Sequence, residues 1–417
     1  MELVFKIGTR MQPLKIPDSS FLTALEPNKI TNTLTGEAAV QDALRHPIGT
    51  PSLRNILHSG ETVAIVTSDI TRPMPTWAVM PVLLDELYAA GIRRQDITLV
   101  FALGSHRNHS DEEKRRLAGE RAWSEISCVD SNINDCVHIG ITNRGTPVDI
   151  DRRVANADRR ICLGNIEYHY FAGYSGGAKA IMPGVSSRAA IQANHSQMVD
   201  PAACAGRTVG NPVREDIEEA ATMVGVDFIL NVILDAHKQI IKAVAGDAIA
   251  AHRAGCAFLD TLYRIEIPQQ ADIVIASQGG APKDLNLYQT QKALDNAKYA
   301  VKPGGVIILI GSCKEGLGEP TFEEWITTAP HPQALIERIQ NDFRLGGHKA
   351  AAIAMVLKRA DIYLVSDLED ALVEKLFMRP YHTVQDAFDA AMRQHGHNAT
   401  ILAMPYGGST LPWIKQN

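Results

Sequence analysis

Three histidines and a lysine stand at positions where chemistry is expected, namely His106, His169, His195 and Lys179. Imidazole gains and loses protons near neutral pH, and it is also a ligand that suits nickel, zinc or copper. Lys179 follows His169 by ten residues and precedes His195 by sixteen, all within the stretch from Glu167 to His195. These residue types predict acid/base chemistry beside a metal or a cofactor.

Lys179 is surrounded by small residues, which are Ala172, Gly173, Ser175, Gly176, Gly177 and Ala178. Glycine tolerates positive φ and lets backbone N–H groups close on an anion, so the run is typical of a phosphate or cofactor cradle. It is not a Walker A loop, because Ala178 precedes the lysine and Ala180 follows it, which leaves no hydroxyl for the magnesium of a nucleotide. A glycine-rich turn with a solvated lysine is the plainer alternative.

Other polar residues could complete a site for a small organic acid. An arginine fork and a lysine are natural partners for a carboxylate, and Arg72 and Lys292 supply them, with Asp69 and Gln289 as further polar groups. Histidines outside the three named above, His109 and His252 among them, are expected to be surface or capping groups.

A repeated unit of apolar run, polar loop and helix positions these residues. Strands are predicted at 62–67, 97–102 and 160–165. A helix is predicted from Thr76 to Ala90, and Ser110 with Glu113 predicts a capping box for the next one. Such alternation predicts a parallel sheet, in which ligands sit at the carboxyl ends of strands. Asp69, Arg72 and His106 fall on those ends.

The length of 417 residues exceeds what one hydrophobic core usually supports and predicts two α/β domains with mainly parallel, Rossmann-like sheets. We place the boundary near Pro268, before the strand that starts at Ala271. Residues 1–267 would carry the cofactor and metal site, and residues 268–395 would contribute substrate-clamp residues across a cleft. Residues 396–417 are expected to return to the first domain.

Composition narrows the class of protein. A net charge of -6 and a pI near 6.2 argue against nucleic acid as the main partner. No apolar run reaches the length of a membrane span and no signal-peptide pattern opens the chain, so a cytoplasmic protein is expected. The six cysteines are scattered without a Cys-x-x-Cys pair, which indicates neither a disulfide framework nor a thiolate zinc site.

Several stretches in one order resemble the nickel-pincer lactate racemase family, whose members racemise or epimerise 2-hydroxy acids. They are SDITRP, LGSHR, HYFAGYSGGAKAIMPG, the downstream His195, NPVREDIEEAA and GGAPKDLNLYQTQKAL, between about residues 60 and 320. The resemblance implies a nickel-pincer nucleotide as cofactor, a pyridinium-3,5-bisthiocarboxylic acid mononucleotide whose two sulfur arms hold nickel. Separate biosynthetic enzymes would supply it.

The resemblance also implies roles for individual residues. His195 would be the nickel ligand, and Lys179 the residue that can form a thioamide link to the cofactor. The backbone at Gly173, Gly176 and Gly177, with Ser175 beside them, would approach the cofactor and its phosphate.

Two histidines, His106 and His169, would be the acid/base groups. One would take the hydroxyl proton while the substrate passes a hydride from C2 to the cofactor, and the resulting planar keto acid would regain it on its other face. Arg72, Gln289 and Lys292 would hold the substrate carboxylate, and Asp69 would orient a histidine or Arg72. The candidate small-molecule substrates are lactate, malate, a longer hydroxy acid and a sugar acid. The oligomeric state is also open, and a homo-oligomer is one alternative.

Three other functions are alternatives to a racemase. A zinc-dependent hydrolase using the three histidines is disfavoured because no His-x-x-x-His or equivalent pair is present. An NAD-dependent dehydrogenase is disfavoured because no Gly-x-Gly-x-x-Gly follows a strand. A non-catalytic organic-acid binding protein is the remaining alternative.

Overall fold

The computed structural model describes residues 1–29, 34–235 and 237–414. Its strands are Glu2–Ile7 (β1), Arg10–Lys15 (β2), Phe21–Ala24 (β3), Val63–Ser68 (β4), Ile97–Ala102 (β5), Ser127–Asp130 (β6), Cys136–Ile141 (β7), Pro147–Asp151 (β8), Arg159–Asn165 (β9), Tyr168–His169 (β10), Gly173–Tyr174 (β11), Phe228–Leu234 (β12), Ile240–Gly246 (β13), Arg264–Glu266 (β14), Ala271–Ser277 (β15), Val301–Ile310 (β16), Asp361–Val365 (β17), Arg379–Tyr381 (β18), Ile401–Met404 (β19) and Leu411–Trp413 (β20).

The helices are Gly36–Arg45 (α1), Leu53–Ile56 (α2), Thr76–Ala89 (α3), Asp111–Ala118 (α4), Glu120–Glu125 (α5), Arg152–Asn156 (α6), Arg188–His195 (α7), Pro212–Val224 (α8), Ala250–Tyr263 (α9), Leu287–Thr290 (α10), Lys292–Ala297 (α11), Pro320–Thr328 (α12), Pro332–Asn341 (α13), Gly347–Leu357 (α14), Asp370–Lys375 (α15) and Val384–His395 (α16). A 3₁₀ turn spans Gly177–Ala180. Within the described ranges, none of these helices is long and apolar enough to cross a membrane.

The chain forms two compact units. The central unit comprises Ile30–Asp260, and the terminal unit comprises Met1–Lys29 together with Thr261–Asn417. Each contains a mainly parallel sheet with helices, so the α/β class predicted from the alternation of strands and helices is confirmed.

The sheet of the central unit has the order β13-β12-β9-β4-β5-β6, and only β13 runs antiparallel to its neighbour. Its strands are nearly continuous apolar runs because both faces are covered. On one face, Ile65 and Leu99 pack against Leu83 and Leu87 of α3. Because β9, β4 and β5 are adjacent and parallel, their carboxyl ends meet at one edge, as the sequence predicted.

The sheet of the terminal unit has the order β18-β17-β16-β15-β19-β3, with every pairing parallel. The β1–β2 hairpin covers part of it, and Phe5 and Ile7 are buried in the same core cluster as Ile273 and Ile308.

This division differs from the expected boundaries at both ends of the chain. Residues 1–29 group with the second half of the sequence, because β3 pairs with β19 at the edge of the terminal sheet. Residues 396–414, the described part of the C-terminal stretch expected to return to the first domain, group with the terminal unit instead. Their strand β19 also pairs with β15, and β20 pairs with β14. A local sequence pattern does not show which distant strands pair. This is why the predicted domain boundaries differ from the observed ones.

Candidate functional site

The predicted site residues of the central unit lie in the loops at the carboxyl ends of three neighbouring strands. Asp69 follows β4, His106 follows β5, and the stretch with His169 and Lys179 follows β9. Backbone hydrogen bonds join two of these loops, for example from the Gly104 N–H to the Gly184 carbonyl (2.9 Å). The parallel sheet therefore gathers residues that are far apart in sequence.

Asp69 and His106 form a hydrogen-bonded pair. The Nδ1 atom of His106 lies 2.6 Å from Oδ2 of Asp69, whose side chain is only 4% exposed. Burial raises the pKa of Asp69, but the hydrogen bond and charge of His106 outweigh it, and Thr71 and Arg72 add to the lowering, so that the pKa lies below its usual range. An ionised carboxylate only accepts, so Nδ1 carries a proton, and when the ring is neutral Nε2 has the lone pair.

His109 holds the loop behind this pair rather than facing solvent as expected. Its Nδ1 bonds Oδ1 of Asp130 (2.7 Å), and its Nε2 accepts from the N–H of Ile70 (3.1 Å). The side chain is 1% exposed. Both ring nitrogens are thereby committed, so His109 fixes the backbone next to Asp69 and is not a ligand partner for His106.

His169 sits on the short hairpin formed by β10 and β11. Its Nδ1 accepts from the N–H of Ala172 (3.2 Å), so the neutral ring carries its proton on Nε2. Burial first, and then the nearby charges of Lys179 and Arg72, hold the pKa of His169 well below 6.5. The tautomer at His169 is therefore opposite to that at His106.

Lys179 lies in the 3₁₀ turn that follows the hairpin. Burial holds the pKa of its ammonium well below 10.5, and the charges of Arg214 and Arg72 lower it further. In the described part of the chain, no carboxylate forms an ion pair with Lys179 that would raise its pKa again. A lysine in such surroundings is readily deprotonated and can act as a nucleophile.

Phe171 is the residue around which three of the predicted groups meet. Its buried ring packs edge-on against His169 (4.5 Å between centroids) and His195 (5.0 Å), and Nζ of Lys179 lies 5.7 Å from its centroid. The structure therefore brings His169, His195 and Lys179 together. The charge of Arg72 lowers the pKa of Asp69 as well as those of His169 and Lys179.

His195 closes helix α7 and is 8% exposed. Its Nδ1 lies 3.0 Å from Oδ1 of Asn194. When an amide oxygen accepts from Nδ1–H, Nε2 keeps the lone pair that a metal needs.

The small residues around Lys179 are required by packing within the protein. A Cβ on Gly173 would come within 2.0 Å of the Arg207 carbonyl, and one on Gly177 within 2.8 Å of the His252 ring. One on Gly176 would come within 2.7 Å of Oδ1 of Asn231. Tight packing thus accounts for these glycines, and their contact with a cofactor stays a prediction.

Three donors of the expected anion cradle are already bonded inside the protein. The Gly177 N–H donates to Oδ1 of Asn231 (2.7 Å), and the Ser175 N–H donates to the Glu167 carbonyl (2.9 Å). The Ser175 hydroxyl donates to the Asn165 carbonyl (2.7 Å). At these positions the loop is held in shape and offers no donor to a phosphate.

Two buried residues that the sequence reasoning missed support this loop. Arg214, at the start of α8, donates from Nε to the Ala172 carbonyl (3.0 Å) and from Nη2 to the Tyr174 carbonyl. His252 is 1% exposed and donates from Nε2 to the Ser175 carbonyl (2.8 Å). His252 is therefore neither a surface nor a capping group, and a charged residue on the apolar side of α8 was the available signal for Arg214.

The two clamp residues Gln289 and Lys292 lie in the terminal unit. They fall on consecutive short helices, α10 and α11, where Lys292 is exposed and Gln289 is half-buried. Their predicted contact with a substrate carboxylate stays a prediction. Arg72 is exposed in the central unit and could serve there as a clamp.

A cavity of about 540 Å³ borders His106 in the central unit. Asp130, Asn132, Asp135 and Arg153 contribute to its polar lining.

No group of three His, Cys, Asp or Glu side chains in the described ranges could by itself hold a metal ion, which disfavours a zinc hydrolase built on three protein ligands.

Comparison with known proteins identifies the family of this chain. The models of the lactate racemase N-terminal domain and C-terminal domain match residues 7–206 and 267–411. Lactate racemases of Thermoanaerobacterium thermosaccharolyticum and Lactiplantibacillus plantarum are each 32% identical to this chain, over 91% and 90% of it and 91% of each relative.

Two solved structures have a similar fold. The lactate racemase apoprotein from T. thermosaccharolyticum superposes with a TM-score of 0.88 at 30% identity, covering 100% of both chains. A Thermotoga maritima protein shares the fold with a TM-score of 0.65 at 18% identity, over 92% of this chain and 100% of the other. The chain belongs to the lactate racemase family and is an isomerase.

Proposed function

We propose that this protein inverts the C2 stereocentre of a 2-hydroxy acid, with a nickel-pincer nucleotide as its cofactor. The observation that carries the proposal is the meeting of His169, Lys179 and His195 around Phe171. The Asp69–His106 pair, at the end of neighbouring strands of the same sheet, adds an oriented base. Lactate, the substrate named for the relatives, is the first candidate, and malate, longer hydroxy acids and sugar acids are the alternatives.

The residues fit such a cofactor. His195 offers one oriented ring nitrogen, while no set of three protein ligands surrounds it in the described ranges, so a metal here needs donor atoms from another molecule. A nucleotide that brings its own sulfur and carbon donors would satisfy that need, and His195 would add the protein's donor. Lys179, whose amine is readily deprotonated, is placed to form a covalent link to the cofactor.

When bound, the cofactor supplies a reversible acceptor for the C2 hydride. The protein then has to bind the carboxylate and move the hydroxyl proton. Arg72 offers an exposed guanidinium for the carboxylate.

His106 is the base for one enantiomer. Its Nε2 lone pair accepts the hydroxyl proton, and the resulting imidazolium is stabilised by the ionised Asp69 on Nδ1. Asp69 thus both fixes the tautomer and supplies the opposite charge.

His169 serves the opposite enantiomer, which imposes a change on its ring. To accept a proton at Nε2 it must carry the other proton on Nδ1, where it now accepts from the Ala172 N–H. We therefore expect this 3.2 Å contact to be given up when the substrate is bound. For the proton to balance, the ring that returns a proton must start as an imidazolium and end neutral, while the ring that takes the hydroxyl proton starts neutral and ends as an imidazolium. The two rings exchange these roles when the reaction runs in the other direction.

The proposal is tested by co-expressing the chain with the enzymes that make the cofactor. Stoichiometric nickel, an adduct mass on the peptide with Lys179, and conversion of L-lactate to a racemic mixture are expected. A panel of single-enantiomer malate, longer hydroxy acids and sugar acids follows if lactate is not turned over. Absence of nickel and cofactor, under conditions that load a known lactate racemase, contradicts the proposal.

A further inference from the structure

Asn194 and Asp216 lie behind the proposed nickel ligand His195 and touch neither of the acid/base histidines. Both are fully buried, at 0% exposure. Nδ2 of Asn194 donates to Oδ2 of Asp216 (2.7 Å) and to the Val213 carbonyl (3.2 Å).

Chemistry fixes the orientation of the Asn194 amide. The Val213 carbonyl can only accept, so the Asn194 atom that faces it has to be the NH₂ group. The other end, Oδ1, then faces Nδ1 of His195 at 3.0 Å. An amide oxygen cannot donate, so Nδ1 of His195 must carry the ring proton and Nε2 must be unprotonated.

Asp216 is anchored well enough to hold this orientation. Its carboxylate accepts from the hydroxyls of Thr142 (2.5 Å) and Thr146 (2.7 Å), in the loop between β7 and β8. It also accepts from Nε2 of Gln197 (3.2 Å). Because Asp216 belongs to α8 and His195 to α7, the network fixes one helix end against another and against a loop.

We infer that Asn194, held by Asp216, is a positioning residue that presets His195 in the tautomer required of a metal ligand. The inference rests on the proposed function for the identity of the metal. The tautomer itself follows from the hydrogen bonds of this chain. A histidine whose second nitrogen is bonded in this way binds metal more tightly, and removal of such a partner typically weakens binding about 10–100-fold.

The test compares two isosteric replacements that each remove an amide donor to Asp216. Asn194→Leu also removes the acceptor for His195, whereas Gln197→Met leaves it in place. Nickel loss from the loaded enzyme into excess chelator is measured by metal analysis. We expect Asn194→Leu to accelerate the loss about 10–100-fold and Gln197→Met to leave it unchanged. Equal rates in both variants, or a wild-type rate in Asn194→Leu, overturn the inference.

His195→Ala separates this result from failure of the proposed function. If His195→Ala keeps its nickel, the assignment of the ligand fails. If it loses nickel while Asn194→Leu does not, only the positioning role fails.

A second measurement needs no metal and no folded variant of Asn194. The full chain without cofactor is labelled with ¹⁵N-histidine, and the His195 signals are assigned by comparison with His195→Gln. We expect the nitrogen shifts of a ring protonated on Nδ1. A ring protonated on Nε2 overturns the inference.

Discussion

The Nδ1 atom of His106 lies 2.6 Å from the buried carboxylate of Asp69, while Nδ1 of His169 accepts from a backbone N–H. The two histidines proposed for acid/base work are therefore held in opposite tautomers. His106 has its Nε2 lone pair ready for a proton, and His169 presents an Nε2–H. In the proposed reaction, His106 would accept the hydroxyl proton as it stands, whereas His169 would first have to carry its ring proton on Nδ1.

Asp69→Asn tests the charge behind His106. Loss of the carboxylate removes the acceptor that keeps a proton on Nδ1 of His106 and the negative charge that would stabilise the imidazolium formed on proton transfer. The maximal rate should fall by about 10²–10⁴-fold.

Thr71→Val is the matched control, because the Thr71 hydroxyl donates to the other oxygen of Asp69 (2.8 Å) and does not bond His106. Its maximal rate should stay close to that of the wild type. A maximal rate of Asp69→Asn equal to that of the wild type contradicts the pairing of Asp69 with the catalytic proton.

Single histidine variants should divide into two classes. His106→Ala and His169→Ala are each expected to reduce interconversion by at least about 10²-fold while nickel stays bound, because they remove proton transfer only. His195→Ala is expected to lose nickel. Metal analysis and polarimetry on the same preparations distinguish the classes, with the exposed His46→Ala as reference. Retained turnover in either acid/base variant excludes the two-base scheme.

Lys179 should react at lower pH than an ordinary lysine. Since burial and the charges of Arg214 and Arg72 lower its pKa, the neutral amine predominates from a lower pH upward. Acylation of the chain without cofactor, followed peptide by peptide in a mass spectrometer, should show the Lys179 rate reaching its plateau well before that of exposed Lys375. Coincident pH profiles for the two lysines contradict the lowered pKa.

His252 should make the fold sensitive to acid. Burial, and then the charge of Arg214, lower its pKa well below 6.5, so the folded chain keeps it neutral while the unfolded chain protonates it. The stabilising contribution is therefore present above about pH 6.5 and is lost as pH falls. For one such group, the free energy of unfolding falls by up to about 1.4 kcal/mol for each pH unit of acidification.

His252→Gln keeps a donor for the Ser175 carbonyl but cannot bind a proton. Denaturant unfolding between about pH 6.5 and 5 should give a flatter decline of the unfolding free energy than wild type, by up to that slope. Exposed His46→Gln should leave the decline unchanged. If the unfolding free energy of His252→Gln declines with acid as steeply as that of the wild type, His252 is not the source of the acid sensitivity.

Local features of the chain were determined by the sequence itself. The run ITLVFA forms β5 over Ile97–Ala102 as predicted, and the capping box of Ser110 and Glu113 is present at the start of α4. Asn211 caps α8 through bonds to the N–H groups of Val213 and Arg214. Apolar periodicity and capping depend on residues a few positions apart, so they can be recognised without a structure. The order of motifs likewise sufficed for the family.

Tertiary structure alone decided which side chains meet. Phe171 lies within the quoted motif, yet nothing in the sequence shows that its ring touches His169 and His195. His252 and Ser175 are separated by 77 residues, and Asn194 and Asp216 by 22. Strand β3, near the start of the chain, joins β19 near its end. Such contacts depend on how strands pair and helices pack across the whole chain, because a given local pattern is compatible with many partners until the sheet order is fixed.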